Sequence, residues 1–389
     1  MHVELVYSRM MAAYRFGSAH PMQPERFTLA VELSKQWGLI GDLGAATVPP
    51  LAATDAELHL AHEAAYVSAV ERASADPGLW HGGFGIGPGD TPAFAGMHEA
   101  AALAAGATTR ALRDVISGDC QRAFSPAGGL HHAHYDRAAG FCIYNDLAVA
   151  IATVVAENPG LRVAYVDLDA HHGDGVQEAF WERADILTLS VHESGAYLYP
   201  GTGRQVETGS GPGTGFALNV PLPPDSGDAC YAVVLSEVVA PALRAFAPNV
   251  IVAQLGADSH RDDPLTHLDT TVAGQHANAC ALVALAQELC AGRVVATGGG
   301  GYATYSAAPR VWACALAALI GVDPPETLPQ AWRDAATAAS GGRVTPPAGT
   351  FDEVAPEPPI AAKDRALEET VRVVELLRGA HPLLQGAAG

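Results

Sequence analysis

The chain has 389 residues, of which 49% are hydrophobic and 16% are charged, enough apolar material for one large domain or two ordinary ones. Its 42 acidic residues outnumber the 22 basic residues and give a formal net charge of -20. Because such a charge repels phosphate backbones and anionic lipid surfaces, we expect neither nucleic acid nor a membrane among its partners.

Short apolar runs alternate with longer helical patterns along the chain. Strands are predicted over 3–7, 162–166, 186–191, 249–255 and 293–297, and helices over 55–72, 97–116, 144–156, 228–240, 271–289 and 306–319. The strands are continuously apolar, as expected when helices cover both faces of a parallel sheet. We therefore predict one α/β domain over 1–389, a three-layer α/β/α sandwich with a mostly parallel central sheet.

Glycine and proline concentrate in three segments, 81–92, 200–215 and 298–301. Their lengths are typical of functional loops rather than of linkers between domains. After a further segment rich in these residues, a helical pattern with mixed charge covers 363–378. This pattern predicts a C-terminal extension over about 340–389 that carries a surface helix.

The six cysteines stand far apart and form no CxxC pair, a spacing that favours free thiols in a reducing compartment. The first residues lack the basic region and long apolar run of a secretory signal. Apolar stretches such as 311–322 are shorter than the ~20 residues that cross a bilayer. We expect a cytoplasmic protein, and the sequence leaves its oligomeric state open.

The densest group of ionisable residues follows the predicted strand at 162–166, in the sequence VAYVDLDAHHGDG. Ligands of open parallel sheets bind beyond the carboxyl ends of the strands, where these residues emerge. Alternation along the strand places Asp167, Asp169 and His171 on one side. Helix capping could explain Asp174 but would not require three acids.

A second strand, over 249–255, delivers Asp258 to the same edge of the sheet. On its own, Asp258 could equally be a turn or helix-capping residue. Together with Asp169 and His171 it forms a set of two carboxylates and one imidazole, which suits Zn²⁺ or Fe²⁺ and leaves a position open for water. Such an ion lowers the pKa of bound water to roughly 7 and polarises a carbonyl group, as amide hydrolysis requires.

Two glycine-rich turns carry further candidates. GGLHHA presents His131 and His132, whose imidazoles suit proton transfer, and Asp167 and Asp174 are free to pair with them. GGGGY at 298–302 lacks the lysine and the spacing of nucleotide-binding loops, so its glycines more plausibly bring Tyr302 close to the metal. There the hydroxyl would donate to a developing oxyanion.

These motifs occur in a fixed order: GGLHHA, GFC-x-x-ND at 140–146, DLDAHHGDG, LYPGTG at 198–203, QLGAD and GGGGY. Together they resemble the arginase-fold histone deacetylase superfamily over about residues 14–322. The segment from His20 to Arg26 and the loop GDTPAF are most similar to bacterial acetoin-utilisation deacetylases.

The resemblance implies Zn²⁺ on Asp169, His171 and Asp258, with His132 as general base and Tyr302 polarising the acetyl carbonyl. It also implies that His131, a second acid or electrostatic histidine, pairs with Asp167, and that His132 pairs with Asp174. A structural K⁺ site is implied as well, formed by Asp167, Asp169, His171, Ser190 and Val191.

Substrate-binding positions are also carried over by resemblance. An acyl-lysine tunnel would be lined by Gly140, Phe141 and Tyr199, with Asp90 as the rim acid that holds the substrate backbone and Arg26 beneath the metal. Leu130 stands where some relatives have an aromatic residue, which changes the cavity beside the metal.

The leading functional prediction is an enzyme that removes acetyl groups from lysine side chains of proteins. An acetylpolyamine or another small cationic amide is the alternative substrate, and the acidic surface suits both. A catalytically silent binding module is disfavoured because every chemical residue is present. An arginase relative is disfavoured because the paired histidines and Tyr302 would have no role in a two-manganese site.

Overall fold

The computed structural model describes residues 2–41, 44–80 and 82–385, with residue 79 described by its backbone alone. The predicted domain over 1–389 and the predicted loop over 81–92 therefore include positions outside the described residues, namely 1, 42, 43, 81 and 386–389.

The centre of the fold is a sheet of eight strands in the order β2-β1-β3-β8-β7-β4-β5-β6. Every pairing between these strands is parallel. The strands are β1 Val3–Val6, β2 Ala46–Val48, β3 Arg122–Ser125, β4 Val163–Asp167, β5 Ile186–Glu193, β6 Ala217–Leu222, β7 Val250–Gln254 and β8 Val294–Thr297. All five predicted strands are present, and β2, β3 and β6 are additional.

Helices flank the sheet, which confirms the predicted α/β sandwich. They are α1 Glu25–Gln36, α2 Asp55–Leu58, α3 Ala64–Ala75, α4 Met97–Ser117, α5 Asp146–Glu157, α6 Asp174–Ala179, α7 Asp228–Val234, α8 Ala240–Phe246, α9 Val272–Leu289, α10 Ala307–Ile320, α11 Gln330–Ala339, α12 Ile360–Ala380 and α13 Pro382–Gln385. In one group α3, α4 and α5 pack together, and in another α10 packs between α1 and α9.

The single helix predicted over 55–72 is wrong, because the segment forms two helices, α2 and α3. The chain between them carries His62, whose ring is buried. Its Nδ1 donates to the His134 carbonyl at 2.9 Å, and its Nε2 accepts the Asn145 N–H at 3.0 Å. These contacts with a distant loop hold the chain out of the helical path.

A continuous apolar helix runs through α7, a π turn at Leu235–Val239 and α8. Pro241 lies two residues after the end of this turn, and because it has no N–H it cannot continue the regular hydrogen-bond pattern. Within the described residues, Asp228–Phe246 is long and apolar enough to cross a membrane, but 56% of its most apolar window is buried inside the fold. It packs against α9 and α12, as a core helix does.

The predicted C-terminal helix lies within α12. One face of α12 is buried, through residues that include Ala366, Val374 and Leu377, and it packs on α7 and β6. Beyond it, His381 donates through Nε2 to the Ala217 carbonyl at 3.0 Å. The extension therefore covers the edge strand β6, whose backbone would otherwise be open to pairing with another chain.

Candidate active site

The predicted site residues converge at one edge of the sheet. β4 ends at Asp167, β7 at Gln254 and β8 at Thr297, and these three strands are neighbours in the order β8-β7-β4. Because the strands are parallel, the loops that follow them meet beyond their carboxyl ends. Two of those loops carry Asp169 and Asp258, and the third is the glycine loop that ends at Tyr302.

Asp169, His171 and Asp258 form a compact, buried group. One ligand atom of each lies within 4.8 Å of the other two. His171 Nδ1 is 3.1 Å from Asp169 Oδ1 and 2.9 Å from Asp258 Oδ2. A single N–H cannot satisfy both carboxylates, whereas a divalent ion between the three atoms would contact all of them and balance two negative charges. The donor set therefore fits Zn²⁺ or Fe²⁺.

The electrostatics of the two carboxylates agree with this fit. Burial, together with the nearby charge of Asp169, raises the pKa of Asp258 to about 7. Burial also acts to raise the pKa of Asp169, but His131 and His171 hold it well below its ordinary value. Two enclosed acids at this separation need a cationic partner if both are to be ionised at neutral pH.

Backbone and side-chain donors orient the predicted metal ligands. Asp169 Oδ2 accepts from Gln254 Nε2 and from the Gly300 N–H, both at 2.7 Å. Asp258 Oδ1 accepts from the Ala170 N–H at 2.8 Å. These contacts leave Asp169 Oδ1 and Asp258 Oδ2 turned towards His171. Sequence reasoning missed Gln254, although it is the first residue of the QLGAD motif.

The paired histidines each contact the carboxylate that the resemblance assigns to them. His131 Nδ1 is 2.8 Å from Asp167 Oδ2, and His132 Nδ1 is 2.7 Å from Asp174 Oδ1. The two Nε2 atoms are 3.1 Å apart, so one of them donates to the other. Asp167 Oδ2 also accepts from the Tyr165 hydroxyl, at 2.5 Å.

These surroundings shift the pKa values of the two imidazoles in opposite directions. Burial acts to lower the pKa of His131, but Asp167 and Asp169 raise it to about 9. Burial and the neighbouring His131 lower the pKa of His132 to about 4. These pKa shifts favour His131 as the protonated imidazole that donates through Nε2 and His132 as the neutral imidazole whose Nε2 accepts.

Asp146 holds the loop that carries the histidine pair, a role that the sequence analysis missed. Its buried carboxylate accepts the N–H of Gly129 and of Leu130, the latter at 2.7 Å, and also the Thr108 hydroxyl. A Cβ on Gly128 would lie 2.4 Å from Asp146 Oδ2, so the turn requires glycine there. Asp146 is the last residue of the GFC-x-x-ND motif.

Tyr302 is fixed from three sides. Its ring lies edge-on to Phe141 with centroids 5.7 Å apart, and the Arg26 guanidinium lies 5.5 Å from the ring centroid. Its backbone N–H donates to Asp263 Oδ2 at 2.6 Å. Burial raises the pKa of the Tyr302 hydroxyl well above its ordinary value, so the group stays a neutral donor. Asp263 is another residue that the sequence analysis missed.

Arg26 supports the glycine loop from below. Its Nη1 donates to the carbonyls of Gly299 at 2.9 Å and Gly301 at 3.2 Å. Arg26 is not among the residues that line the cavity leading to His171. The prediction that Arg26 lies beneath the metal therefore stays a prediction, and the contacts of Arg26 are with the glycine loop and the Tyr302 ring.

A cavity of about 250 Å³ leads from the surface to His132, His171 and Tyr302. The other predicted substrate-binding residues except Arg26 lie on its wall: Asp90, Gly140, Phe141 and Tyr199. Two leucines that were not predicted to bind substrate, Leu198 and Leu265, also line it. A Cβ on Gly140 would lie 2.4 Å from the His132 ring, which explains the glycine. Leu130 lies deeper, in a smaller space beside Asp169.

Three residues of the predicted K⁺ site lie close together at the ends of β4 and β5, whereas Asp169 and His171 lie in the loop after β4. Asp167 is the register partner of Ser190, and Val191 follows on β5. The Ser190 hydroxyl is 2.9 Å from His192 Nδ1. The cation itself stays a prediction.

A second group of possible ligands, His260, Asp262 and Glu353, suits a metal less well. His260 Nδ1 accepts the Asp262 N–H at 3.0 Å, so its hydrogen is on Nε2. That nitrogen is 2.7 Å from Glu353 Oε2, so it faces the carboxylate with its hydrogen and offers no lone pair to a metal.

Comparisons with known proteins identify the family of the chain. A sequence model of the histone deacetylase domain matches residues 20–319. The acetoin utilization protein AcuC of Bacillus subtilis is 42% identical over 333 residues, which cover 84% of each chain. AcuC of Staphylococcus xylosus is 35% identical over 336 residues, covering 84% of this chain and 85% of that protein.

Among solved structures, the crystal structure of an HDAC homolog from Aquifex aeolicus superposes with a TM-score of 0.81 at 29% identity. The alignment covers 95% of this chain and 100% of that one. The chain therefore belongs to the histone deacetylase superfamily, a family of deacetylase hydrolases, and is similar within it to the AcuC proteins.

Proposed function

We propose that this chain is a metal-dependent deacetylase that removes acetyl groups from the lysine side chains of proteins. The observation that carries the proposal is the cavity of about 250 Å³, whose aromatic wall of Phe141 and Tyr199 leads inward to His132, His171 and Tyr302. An apolar passage of this kind suits the methylene chain of an acyl-lysine, with its amide at the inner end.

Asp169, His171 and Asp258 would hold the ion, for which we propose Zn²⁺, with Fe²⁺ as the alternative. When bound, it would supply a Lewis acid for the acetyl carbonyl and a water of lowered pKa. The contacts from Gln254 and Gly300 to Asp169 would keep the ligand geometry fixed before substrate arrives.

The protein's own groups would handle the proton and the developing charge. Because Nδ1 of His132 donates to Asp174, its Nε2 carries the lone pair. On exchanging its 3.1 Å contact with His131 Nε2 for a contact with the attacking water, that nitrogen would take the proton of the water and deliver it to the leaving amine. His131 would act electrostatically beside it through its contact with Asp167. Tyr302 would donate its hydroxyl hydrogen to the oxyanion.

Acetylated polyamines remain the second candidate substrate. Outside the predicted metal group, Asp90 is the carboxylate among the described residues of the cavity wall, and it is exposed at the rim. There it could accept a peptide N–H, or equally face the second ammonium of a polyamine. We favour the peptide because an acid that binds an ammonium selectively would be expected deeper and less hydrated.

A substrate panel tests the proposal. Purified enzyme, loaded with Zn²⁺ or Fe²⁺ in separate preparations, is assayed on an acetyl-lysine peptide, acetylspermidine and acetylputrescine, and on longer acyl-lysines. We expect the highest kcat/KM on the acetyl-lysine peptide. A higher kcat/KM on the acetylated polyamines would show that the enzyme acts on small-molecule amides instead. The absence of turnover on every amide in the panel would refute the deacetylase proposal.

We further propose a cytoplasmic location, K⁺ at the Asp167–Ser190 site, and no nucleic-acid or membrane partner. The six cysteines are all free, which supports a reducing compartment. The formal charge of -20 supports cationic rather than anionic partners.

A further inference from the structure

His134 lies directly beyond the His132–Asp174 pair and has none of the roles described above. Its side chain is buried, with Nε2 3.4 Å from Asp174 Oδ2 and Nδ1 2.6 Å from Glu178 Oε2. Its backbone is held on both sides, since its N–H donates to the Arg137 carbonyl and its own carbonyl accepts from His62. The ring is therefore held between two carboxylates.

This geometry determines the protonation state of the ring. A neutral imidazole has one N–H and one lone pair, and a lone pair that faces a carboxylate oxygen would be repelled. Because both nitrogens of His134 face carboxylates, the ring satisfies both only as an imidazolium. Burial acts to lower the pKa of His134, but the hydrogen bonds and charges of Asp174 and Glu178 raise it to about 9.

The other charged groups nearby do not offset these two acids. Arg137 bonds to Asp136, and both are exposed. Burial lowers the pKa of His62 to about 4, so His62 stays neutral at pH 7. His132 lies on the far side of Asp174 and bonds to its other oxygen.

We propose that His134 is a positioning residue that, as an imidazolium, holds Asp174 Oδ2 so that Oδ1 stays aligned with His132 Nδ1. This inference rests on the proposed role of His132 as general base. Asp174 Oδ1 accepts from both His132 and the Gly175 N–H, whereas His134 is the contact that the described residues give Oδ2. Without that contact, the carboxylate could rotate and release the His132 ring.

Glu178 is the member of the Glu178–His134–Asp174–His132 series of contacts that lies partly at the surface. Its side chain is 47% exposed and lies on the wall of a surface cavity of about 1020 Å³, which also includes Asp174 and Tyr199. A substitution at Glu178 can therefore alter the charge on His134 without changing any residue that lines the catalytic cavity. Glu182 lies on the same wall, and the hydrogen bond that the described residues give it comes from the Ser210 hydroxyl at 3.3 Å, so it provides a matched acid for comparison.

The kinetic test uses the full-length, metal-loaded enzyme and an acetyl-lysine peptide. His134→Gln keeps one hydrogen bond but loses the charge, and we expect kcat to fall by about 10- to 100-fold with KM and bound metal unchanged. His134→Lys keeps a cationic donor and should recover most of the loss. Glu178→Gln should cause a smaller loss in kcat, and Glu182→Gln should cause none. Wild-type kcat in both His134→Gln and Glu178→Gln would overturn the proposal.

The spectroscopic test does not depend on turnover. In protein labelled with ¹⁵N-histidine, NMR should show both His134 nitrogens protonated at pH 7, with titration near pH 9 that Glu178→Gln shifts lower. The downfield Nδ1 proton of His132 should weaken in His134→Gln. A neutral His134 at pH 7, or an unchanged His132 signal, would refute the positioning role. A wild-type enzyme without amidase activity would instead refute the proposed function and leave these signals to decide the role of His134.

Discussion

Replacing Tyr302 by phenylalanine isolates the proposed oxyanion donor. The contacts that hold its ring, with Phe141 at 5.7 Å and the Arg26 guanidinium at 5.5 Å, involve the ring rather than the hydroxyl. The hydrogen bond to Asp263 is made by the backbone N–H and also survives. Tyr302→Phe therefore removes one hydroxyl from an otherwise unchanged site.

Losing a single donor to a developing oxyanion costs about 2.7–4 kcal/mol of transition-state stabilisation, or about 10²- to 10³-fold in kcat. We expect a loss of that size on an acetyl-lysine peptide, with KM and metal content unchanged because the hydroxyl is not one of the predicted ligands. Tyr305→Phe, a matched change three residues along and outside the cavity wall, should leave kcat unaltered. Metal analysis of each purified variant accompanies the kinetics.

Two results would refute the reasoning for Tyr302. Wild-type kcat in Tyr302→Phe would mean that another group stabilises the oxyanion. Loss of metal together with activity would mean that Tyr302 holds the site together rather than acting on the substrate.

Asp258→Ala should lose both activity and bound metal, which mass spectrometry measures. If the variant kept a full equivalent of metal, Asp258 would not be a ligand. In Gly300→Ala the added Cβ would lie 1.9 Å from Asp258 Oδ2, so resistance to a chelator should fall at least about 10-fold. Gly379→Ala, where a Cβ meets nothing within 4 Å, is the control, and equal chelator resistance in both variants would contradict the role of Gly300. Burial lowers the pKa of His62 from 6.5 to about 4 in the folded protein. Between pH 6.5 and pH 4 the unfolded chain therefore binds a proton on His62 that the folded protein does not, so the free energy of unfolding decreases as pH falls. Between pH 6.5 and pH 4 the wild type should lose about 3 kcal/mol more unfolding free energy than His62→Gln, and equal slopes in urea titrations would show that His62 is not buried neutral.

The strands that could be predicted from sequence are those whose residues are continuously apolar. The three that were missed each break that pattern for a structural reason. β2 has only three residues and is partly exposed at the edge of the sheet. β3 begins with Arg122, whose guanidinium donates to the Leu319 carbonyl at 2.7 Å. β6 contains Pro221, which an edge strand tolerates because no further strand pairs with it.

The site could be predicted where several ionisable residues stand close together in sequence, as around Asp169 and in the histidine pair. The supporting residues gave no such signal. Gln254 and Asp146 are single polar residues whose partners lie far along the chain, so their roles become visible only in the fold. His134 follows the recognised histidine pair by two positions, but its two carboxylate contacts span 40 and 44 residues and cannot be read from spacing.

Anomalous diffraction from crystals of the zinc-loaded protein, measured above and below the zinc absorption edge, tests the central claim most directly. The account predicts one strong anomalous peak about 2.0–2.2 Å from Asp169 Oδ1, His171 Nδ1 and Asp258 Oδ2, with solvent in the remaining position. A peak bound by other residues, or no peak among these three in protein that retains zinc and activity, would contradict it.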